Sequence, residues 1–241
     1  MAERAALVIG AGDGTGGAIA KRFAREGFVA CVVRRTAAKL EPLVRDIEAA
    51  GGRARAFGRD ARKEEHVVAL VEDIEREVGP IEVAAFNVGA NVPSSILEET
   101  ARKYFKIWEM ACFGGFLMGR EVARRMVPRG RGTILYTGAT ASVRGREHFA
   151  AFAGAKHALR ALAQSMAREL GPQGIHVAHV LIDGAIDTEF IRTSFPETYA
   201  LKDRDGILDP AHIADQFWML HTQPRDAWTF ELDLRPWTER W

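Results

Sequence analysis

Short apolar runs alternate with helical patterns along the whole chain, and this alternation is what most constrains the fold. The β-rich runs lie at 5–9, 29–33, 53–57, 81–86, 133–137, 175–182 and 229–234, and the first of them is continuously apolar. Between them, apolar residues recur at spacings of three and four, as in Leu40, Leu43, Val44 and Ile47, which is typical of amphipathic helices. Strand, helix and strand repeated in this way predict a parallel sheet with right-handed crossovers and helices on both faces.

A glycine-rich segment follows the first apolar run and precedes the first helical pattern. It reads Gly10-Ala11-Gly12-Asp13-Gly14-Thr15-Gly16-Gly17. Glycines at such a turn let backbone N–H groups at a helix N-terminus approach a pyrophosphate. A glycine-rich turn alone can be a flexible loop, but here the strand before it and the helix after it favour a dinucleotide site. We therefore expect an α/β, doubly wound Rossmann fold with about seven parallel strands, as one domain over 1–241.

Composition excludes several classes of partner. The 241 residues carry 33 Lys plus Arg against 32 Asp plus Glu, so a net charge of +1 gives no electrostatic case for nucleic acid or a membrane surface. No apolar run approaches membrane-spanning length, and the five apolar residues before Gly10 are too few for a signal peptide. We expect a cytoplasmic protein in which Cys31 and Cys112 are buried thiols. His176 and His179 should face opposite sides of a strand, and no metal site is expected.

Two regions extend the expectations. Helical patterns at 100–126 and 150–170 are long, and Asp209-Pro210 predicts an N-cap and first turn of a further helix. The long stretch 190–208 between the sixth strand and that helix has no regular pattern, which is typical of a functional or mobile loop. Its Ile191, Phe195, Tyr199 and Leu201 favour a substrate lid over a disordered surface loop.

Several short motifs together resemble the short-chain dehydrogenase/reductase family over nearly the whole chain. Gly10-x3-Gly14-x-Gly16 is similar to the family's glycine loop, and Asn87-Val88-Gly89 is similar to its Asn-Ala-Gly signature. The resemblance implies further cofactor contacts from Asp60, which matches the aspartate at the adenine ring, the adjoining Ala61, and the Gly184, Ile186 and Thr188 of a segment at the nicotinamide end. In that segment Asp183 stands where the family has proline.

The residues after the second strand bear on which cofactor is bound. Members that use NAD place an acidic residue there, but this chain has Arg34 and Arg35. Two guanidinium groups suit a 2′-phosphate, so the resemblance favours NADP(H) over NAD(H). The alternative is that one or both arginines are simply solvated.

The family's catalytic residues are largely missing from this chain. Lys156 matches the active-site lysine, which also holds the nicotinamide ribose. Counting back from it, Phe152 occupies the position of the catalytic tyrosine, and Ala139 the position of the serine. Ala111, in Ala111-x2-Gly114-x-Phe116, occupies the position of the asparagine. Because phenylalanine cannot donate a proton, the family's usual alcohol and carbonyl chemistry should be very slow at these positions.

Two other side chains are candidates to replace the missing groups. Ser142 and His148 lie between the fifth strand and the helix at 150–170, beside the expected nicotinamide. His148 is the better acid because its ordinary pKa is about 6.5. A solvated histidine in a charged loop is the more common situation.

Two hypotheses of function remain open, with a third less favoured. The first is an NADP(H)-dependent oxidoreductase with an altered site, acting on a small, apolar carbonyl or alcohol substrate. The second is a catalytically silent dinucleotide-binding sensor or subunit. Non-redox lyases and dehalogenases on this fold tend to fill the dinucleotide cleft, whereas this glycine loop remains open. The two long helices resemble the pair that family members pack against a two-fold mate, so we expect a homodimer or homotetramer.

Overall fold

The computed structural model describes residues 3–89 and 91–240. The strands are β1 (Ala5–Ile9), β2 (Val29–Arg34), β3 (Arg53–Gly58), β4 (Ile81–Phe86), β5 (Gly132–Thr137), β6 (Ile175–Ile182) and β7 (Glu231–Leu234). The helices are α1 (Thr15–Arg25), α2 (Glu41–Ala49), α3 (Glu64–Glu77), α4 (Ala101–Trp108), α5 (Gly114–Met126), α6 (Ala150–Leu170), α7 (Glu189–Ser194), α8 (Pro196–Tyr199) and α9 (Pro210–Thr222).

The seven strands form one parallel sheet in the order β3-β2-β1-β4-β5-β6-β7. This confirms the expected doubly wound Rossmann architecture. The strand order reverses between β1 and β4, and ligands of such sheets bind outside the carboxyl ends of the strands at that point. The glycine loop follows β1, so the topology places it at this crevice.

Apolar residues cover both faces of the sheet. On one face, α3, α5 and α6 bury residues such as Ile74, Met118 and Leu159 against the strands. On the other face, α1, α2 and α9 do the same with residues such as Phe23, Ile47 and Phe217. Burying each such side chain stabilises the fold by roughly 1.5–3 kcal/mol. A sheet that is packed on both sides gives the loops at its carboxyl edge a rigid base.

Two regions differ from the sequence prediction. The helical pattern at 100–126 is interrupted by a π-helical turn over Glu109–Phe113, which separates α4 from α5. The stretch 190–208, predicted to be irregular, instead contains most of α7, then α8 and a 3-10 turn over Ala200–Arg204. Thr188 and Pro196 begin the two short helices, because the Thr188 side chain accepts a hydrogen bond from Ile191 N and Pro196 occupies the first turn.

Candidate active site

The glycine loop folds tightly against the end of β4. Gly10 has a φ of +87°, and a Cβ atom on it would lie 2.3 Å from the carbonyl oxygen of Asn87. A Cβ atom on Gly16 would lie 2.3 Å from the carbonyl oxygen of Gly10. The Asn87 side chain also donates to that carbonyl, with an Nδ2 to O distance of 3.3 Å. Only glycine fits these two positions, so the sequence fixes the close approach of β1, α1 and β4.

A cleft of about 360 Å³ lies beside this loop. It is lined by most of the predicted cofactor residues, namely Gly10, Gly12, Asp13, Gly14, Thr15, Gly16, Arg34, Arg35, Asp60, Ala61, Asn87 and Gly89. The predicted residues Gly184 and Ile186 line a second cavity. Thr188 connects to the loop, because a Cβ atom on Gly14 would lie 3.0 Å from the Thr188 methyl group.

Arg34 and Arg35 line one end of the cleft and are both exposed. The Arg34 guanidinium lies beside the loop, since a Cβ atom on Gly12 would be 3.6 Å from its Nη1. Within residues 3–89 and 91–240, neither guanidinium forms a hydrogen bond or an ion pair closer than 4.0 Å. Both cations can therefore meet an added anion without breaking an existing contact.

Asp60 lies near the same end of the cleft, in a setting that its motif did not reveal. Arg62 donates to it from Nε to Oδ1 at 2.9 Å and from Nη2 to Oδ2 at 2.5 Å. These hydrogen bonds lower the pKa of Asp60 to about 2, against the effect of partial burial. Asp60 is thus a fixed acceptor, and Arg62 and the nearby Arg59 add further cations to the lining.

Lys156 is buried on α6 beside Gly89, which lines the cleft. Its Nζ donates to Thr137 O at 2.8 Å and to Val88 O at 3.1 Å. An ammonium group has three protons, so one remains for a ribose hydroxyl. Burial lowers the pKa of Lys156 to about 8. The two carbonyls hold the amine in place whether or not a ligand is bound.

Phe152 lies beside this lysine and lines a second cavity of about 630 Å³. Lys156 Nζ is 5.9 Å from the centroid of the Phe152 ring. A Cβ atom on Gly89 would lie 3.7 Å from Phe152 Cε2 and 4.0 Å from Lys156 Cε. Gly89 lines the cleft and Phe152 lines the cavity, so the two spaces adjoin at these three residues.

The second cavity has mostly apolar walls with a few polar groups. Its apolar lining includes Ala139, Phe149, Phe152, Ile182 and Ile186, and its charged and hydroxyl-bearing lining comprises Thr137, Thr140, Arg144, Arg146, Asp183 and Glu239. Asp183 is buried and accepts a hydrogen bond from Thr140 Oγ1. Arg144 Nη2 is 3.8 Å from Asp183 Oδ1. Sequence reasoning did not find this group, because residues 43 positions apart gave no local signal.

Other predicted residues lie away from the cavity. Ser142 is fully buried, and its Oγ accepts a hydrogen bond from Ala139 N at 3.1 Å. His148 is exposed, with a φ of +65°, and lines neither the cleft nor the cavity. The structure describes every residue of 190–208, and none of them lines the cavity, whereas Glu239 near the end of the chain does. Ala111 is buried against Phe152 in the same apolar cluster.

The cysteines and the histidines of β6 were also the subject of sequence predictions. Cys31 and Cys112 are free, buried thiols, as expected, and burial raises the pKa of both. His176 and His179 are buried on opposite faces of β6, where His176 contacts Thr229 O and His179 contacts Glu231. The described part of the chain holds no group of three metal-ligating side chains and no helix long and apolar enough to cross a membrane.

A glycine loop at the switch point of a doubly wound sheet, with a buried lysine beside it, is typical of a Rossmann-fold dinucleotide-binding protein. The chain belongs to the short-chain dehydrogenase family, whose model matches residues 4–198. This confirms the resemblance seen in the sequence and implies an NAD(P)-dependent oxidoreductase.

Individual relatives agree with this assignment. The short-chain reductase protein NovJ of Streptomyces niveus is 31% identical over 237 residues, which are 97% of this chain and 88% of that protein. A crystal structure of a short-chain dehydrogenase from Rhodopseudomonas palustris is 50% identical, with a TM-score of 0.84 over 97% of this chain and 99% of that one. A metagenomic short-chain oxidoreductase solved with NADP shares the fold, with a TM-score of 0.84 at 24% identity over 98% of both chains.

Proposed function

We propose that the protein is an NADP(H)-dependent oxidoreductase that transfers hydride to or from a small, apolar carbonyl or alcohol substrate by an altered site. The observation that carries this proposal is the junction of cleft and cavity at Gly89, Phe152 and Lys156. A dinucleotide extending from the arginines to the lysine would bring its reactive ring to the mouth of the apolar cavity. When bound, the cofactor supplies or accepts the hydride.

The residues present fit this cofactor. Gly10 and Gly16 hold the loop in the tight form that presents backbone N–H groups at the start of α1. The unpaired guanidinium groups of Arg34 and Arg35 suit a 2′-phosphate, because a planar fork of donors matches phosphate oxygens. At the other end, the third N–H of Lys156 suits a ribose hydroxyl. That the metagenomic oxidoreductase was solved with NADP supports the same cofactor for this fold.

The cavity supports the substrate class. Two phenylalanine rings and two isoleucines favour an apolar body, while Arg144 and Arg146 are balanced by Asp183 and Glu239. With two cations and two carboxylates, the lining favours a neutral molecule over an ion. The site is called altered because of Phe152, whose phenyl ring occupies the position from which the family's tyrosine would reach the substrate.

Isothermal titration with NADPH and NADH tests the cofactor preference. We expect NADPH to bind more tightly, and the Arg34→Ala/Arg35→Ala variant to lose most of that preference. Charge-assisted hydrogen bonds contribute roughly 1.5–3 kcal/mol each, so the NADPH affinity should fall by about tenfold or more. Lys39→Ala removes an exposed cation from the same region without touching the cleft and should change nothing. Equal affinities of the wild type for the two cofactors would refute the preference.

The alternative is a silent dinucleotide-binding protein, and Phe152 is the observation that favours it. If the protein is silent, NADPH should bind tightly, and a broad panel should show no turnover of ketones, aldehydes or quinones with NADPH, or of alcohols with NADP+. If it is an oxidoreductase, at least one neutral, apolar carbonyl should oxidise NADPH, or one such alcohol should reduce NADP+.

A further inference from the structure

Asp183 is a carboxylate buried in the wall of the cavity, only 4% exposed. Its backbone N donates to Leu234 O at 2.8 Å, which fixes it at the end of β6. A carboxylate is costly to bury unless hydrogen bonds and charges satisfy it. Here the Thr140 hydroxyl donates to Oδ1, and Arg144 lies 3.8 Å away. Asp183 is thus a buried carboxylate, with a hydrogen bond and a nearby charge, in the wall of a mostly apolar cavity.

Thr140 connects this acid to the cavity. It follows Ala139, is half-buried and lines the same cavity as Asp183. A hydroxyl group donates one proton while it accepts another on a lone pair. Thr140 Oγ1 can therefore accept a hydrogen bond from a substrate hydroxyl while it donates to Asp183.

We propose that Thr140 and Asp183 form a proton relay for the altered site, an inference that rests on the proposed oxidoreductase function. In alcohol oxidation, the substrate O–H bond breaks and its proton passes to Thr140 Oγ1. The proton already on Thr140 passes to Asp183 Oδ1, and a bound oxidised cofactor would accept the hydride from the substrate carbon. Carbonyl reduction reverses each transfer, with protonated Asp183 as the source and water as the group that reprotonates it.

Other polar groups around the cavity are less suited to this task. Arg144 and Arg146 keep their protons at any working pH. Lys156 does not line the cavity, and its Nζ is held by the carbonyl oxygens of Thr137 and Val88. The buried Thr137 Oγ1 has no hydrogen-bond partner in the described part of the chain, so it leads to no acid or base. The Glu239 carboxylate forms no hydrogen bond with a hydroxyl group of a described residue, so no second group connects it to a substrate as Thr140 connects Asp183.

Charged groups surround this relay. Arg144 Nη2 is 3.8 Å from Asp183 Oδ1, and Arg146 and Glu239 line the same cavity. Because a proton moves along the relay when the substrate reacts, removing either Thr140 or Asp183 should reduce the solvent deuterium isotope effect.

The first experiment needs no substrate and no cofactor. In proton NMR of the free protein, a Thr140 hydroxyl bonded to a carboxylate should give a downfield resonance protected from exchange with water. The resonance should disappear in Thr140→Val and move upfield in Asp183→Asn, because a neutral amide oxygen is a weaker acceptor. Absence of any resonance that depends on both residues would overturn the relay.

The second experiment measures NADPH oxidation with the panel member that the wild type reduces fastest. Thr140→Val and Asp183→Asn should lower kcat by about 10²-fold, the size of a lost general acid. Both should also reduce the solvent deuterium isotope effect. Thr140→Ser, which keeps the hydroxyl, should restore most of the rate. Thr222→Val removes an exposed hydroxyl at the end of α9, far along the chain from the cavity lining, and should behave like the wild type.

The outcomes separate the relay from the function on which it rests. If the wild type turns over and both variants keep its rate and its solvent isotope effect, the relay is wrong and the oxidoreductase function stands. If the wild type binds NADPH but turns over nothing, the function fails and the relay fails with it. Titration calorimetry should give unchanged NADPH affinity for all variants, since neither residue lines the cofactor cleft.

Discussion

Phe152 and Lys156 lie one helical turn apart on α6, on the same side of the helix. The three apolar side chains that the sequence predicts at the family's catalytic positions pack together here. Phe152 and Ala111 belong to one buried apolar cluster, and Ala139 packs against it. A polar substitution at one of these positions would therefore meet apolar neighbours at the other two.

This geometry makes a prediction about restoring the family's chemistry. The triple variant Phe152→Tyr/Ala139→Ser/Ala111→Asn should reduce simple ketones with NADPH about 10²-fold faster than the wild type. The reason is that a phenol at position 152 would have Lys156 one turn away, where a cation stabilises the phenolate. The rate of NADPH oxidation over a panel of ketones measures the effect.

Two comparisons make this prediction decisive. Phe149→Tyr places the same phenol in the same cavity three residues earlier, and it should give no such gain. Single reversions can be silent because catalytic residues act as a unit. If the triple variant folds and binds NADPH but is no faster than the wild type, the substrate side differs from the family by more than these residues.

At the scale of the elements, the sequence predicted what local patterns determine. The helix at 150–170 and the N-cap at Asp209 are found as expected, and the Asp209 side chain accepts a hydrogen bond from Ala211 N. The short helices in 190–208 were missed because each is fixed by one capping threonine or proline rather than by periodicity.

The candidate site was predictable to a similar extent. The glycine loop and the two arginines stand in consecutive sequence, and the structure places them along one cleft. The contacts of Asp183 with Thr140 and of Lys156 with Val88 O depend on which strands are neighbours in the sheet. Propensity and spacing carry no information about such contacts. The sequence therefore predicts Ser142 and His148 as the substitute catalytic groups, because they lie between the fifth strand and the helix at 150–170.

A row of aromatic side chains runs from α4 through the π-helical turn to α5, and we expect a second copy of this chain to pack against it. Phe105, Trp108, Phe113 and Phe116 stack in series, with ring centroids 6.0, 5.9 and 5.9 Å apart. Phe105 is 57% exposed, and Tyr104 beside it is also exposed. The other three rings are half-buried, so the row forms a partly exposed apolar surface of a kind that is typical of an interface.

We therefore expect light scattering to give the mass of two or four chains for the wild type at micromolar concentration. Phe105→Glu should shift the mass toward one chain, because burying an unpaired carboxylate in an interface is unfavourable. Phe190→Glu introduces the same charge at an equally exposed phenylalanine on α7 and should leave the mass unchanged. A monomeric wild type would contradict the expected oligomer.

At the scale of the whole molecule, the sheet buries histidines in places where they must stay neutral. His179 on β6 is fully buried, and its Nδ1 is 3.0 Å from Glu231 Oε2 on β7. Burial lowers the pKa of His179 to about 4, despite the opposing attraction of Glu231. Burial also lowers the pKa of His221 on α9 to about 4. His179 connects β6 to β7 through Glu231, and His221 connects α9 to β5, because its Nδ1 is 2.9 Å from Thr133 Oγ1.

These shifts predict that the protein loses stability in mild acid. Between pH 6.5 and about 4 the unfolded chain binds protons that the folded protein does not, so the free energy of unfolding falls as the pH falls. The loss from His179 alone can reach about 3 kcal/mol. Glu231 adds a separate loss of stability only below pH 4.5, its ordinary pKa, because Arg160 lowers the pKa of that carboxyl in the folded protein.

Urea unfolding at pH 7, 6, 5 and 4 measures how steeply the free energy of unfolding falls with pH. His179→Gln keeps a donor for Glu231 but cannot titrate, so its slope should be shallower, whereas His212→Gln on the exposed side of α9 should match the wild type. Equal slopes for the wild type and His179→Gln would mean that His179 is not held neutral in the folded protein.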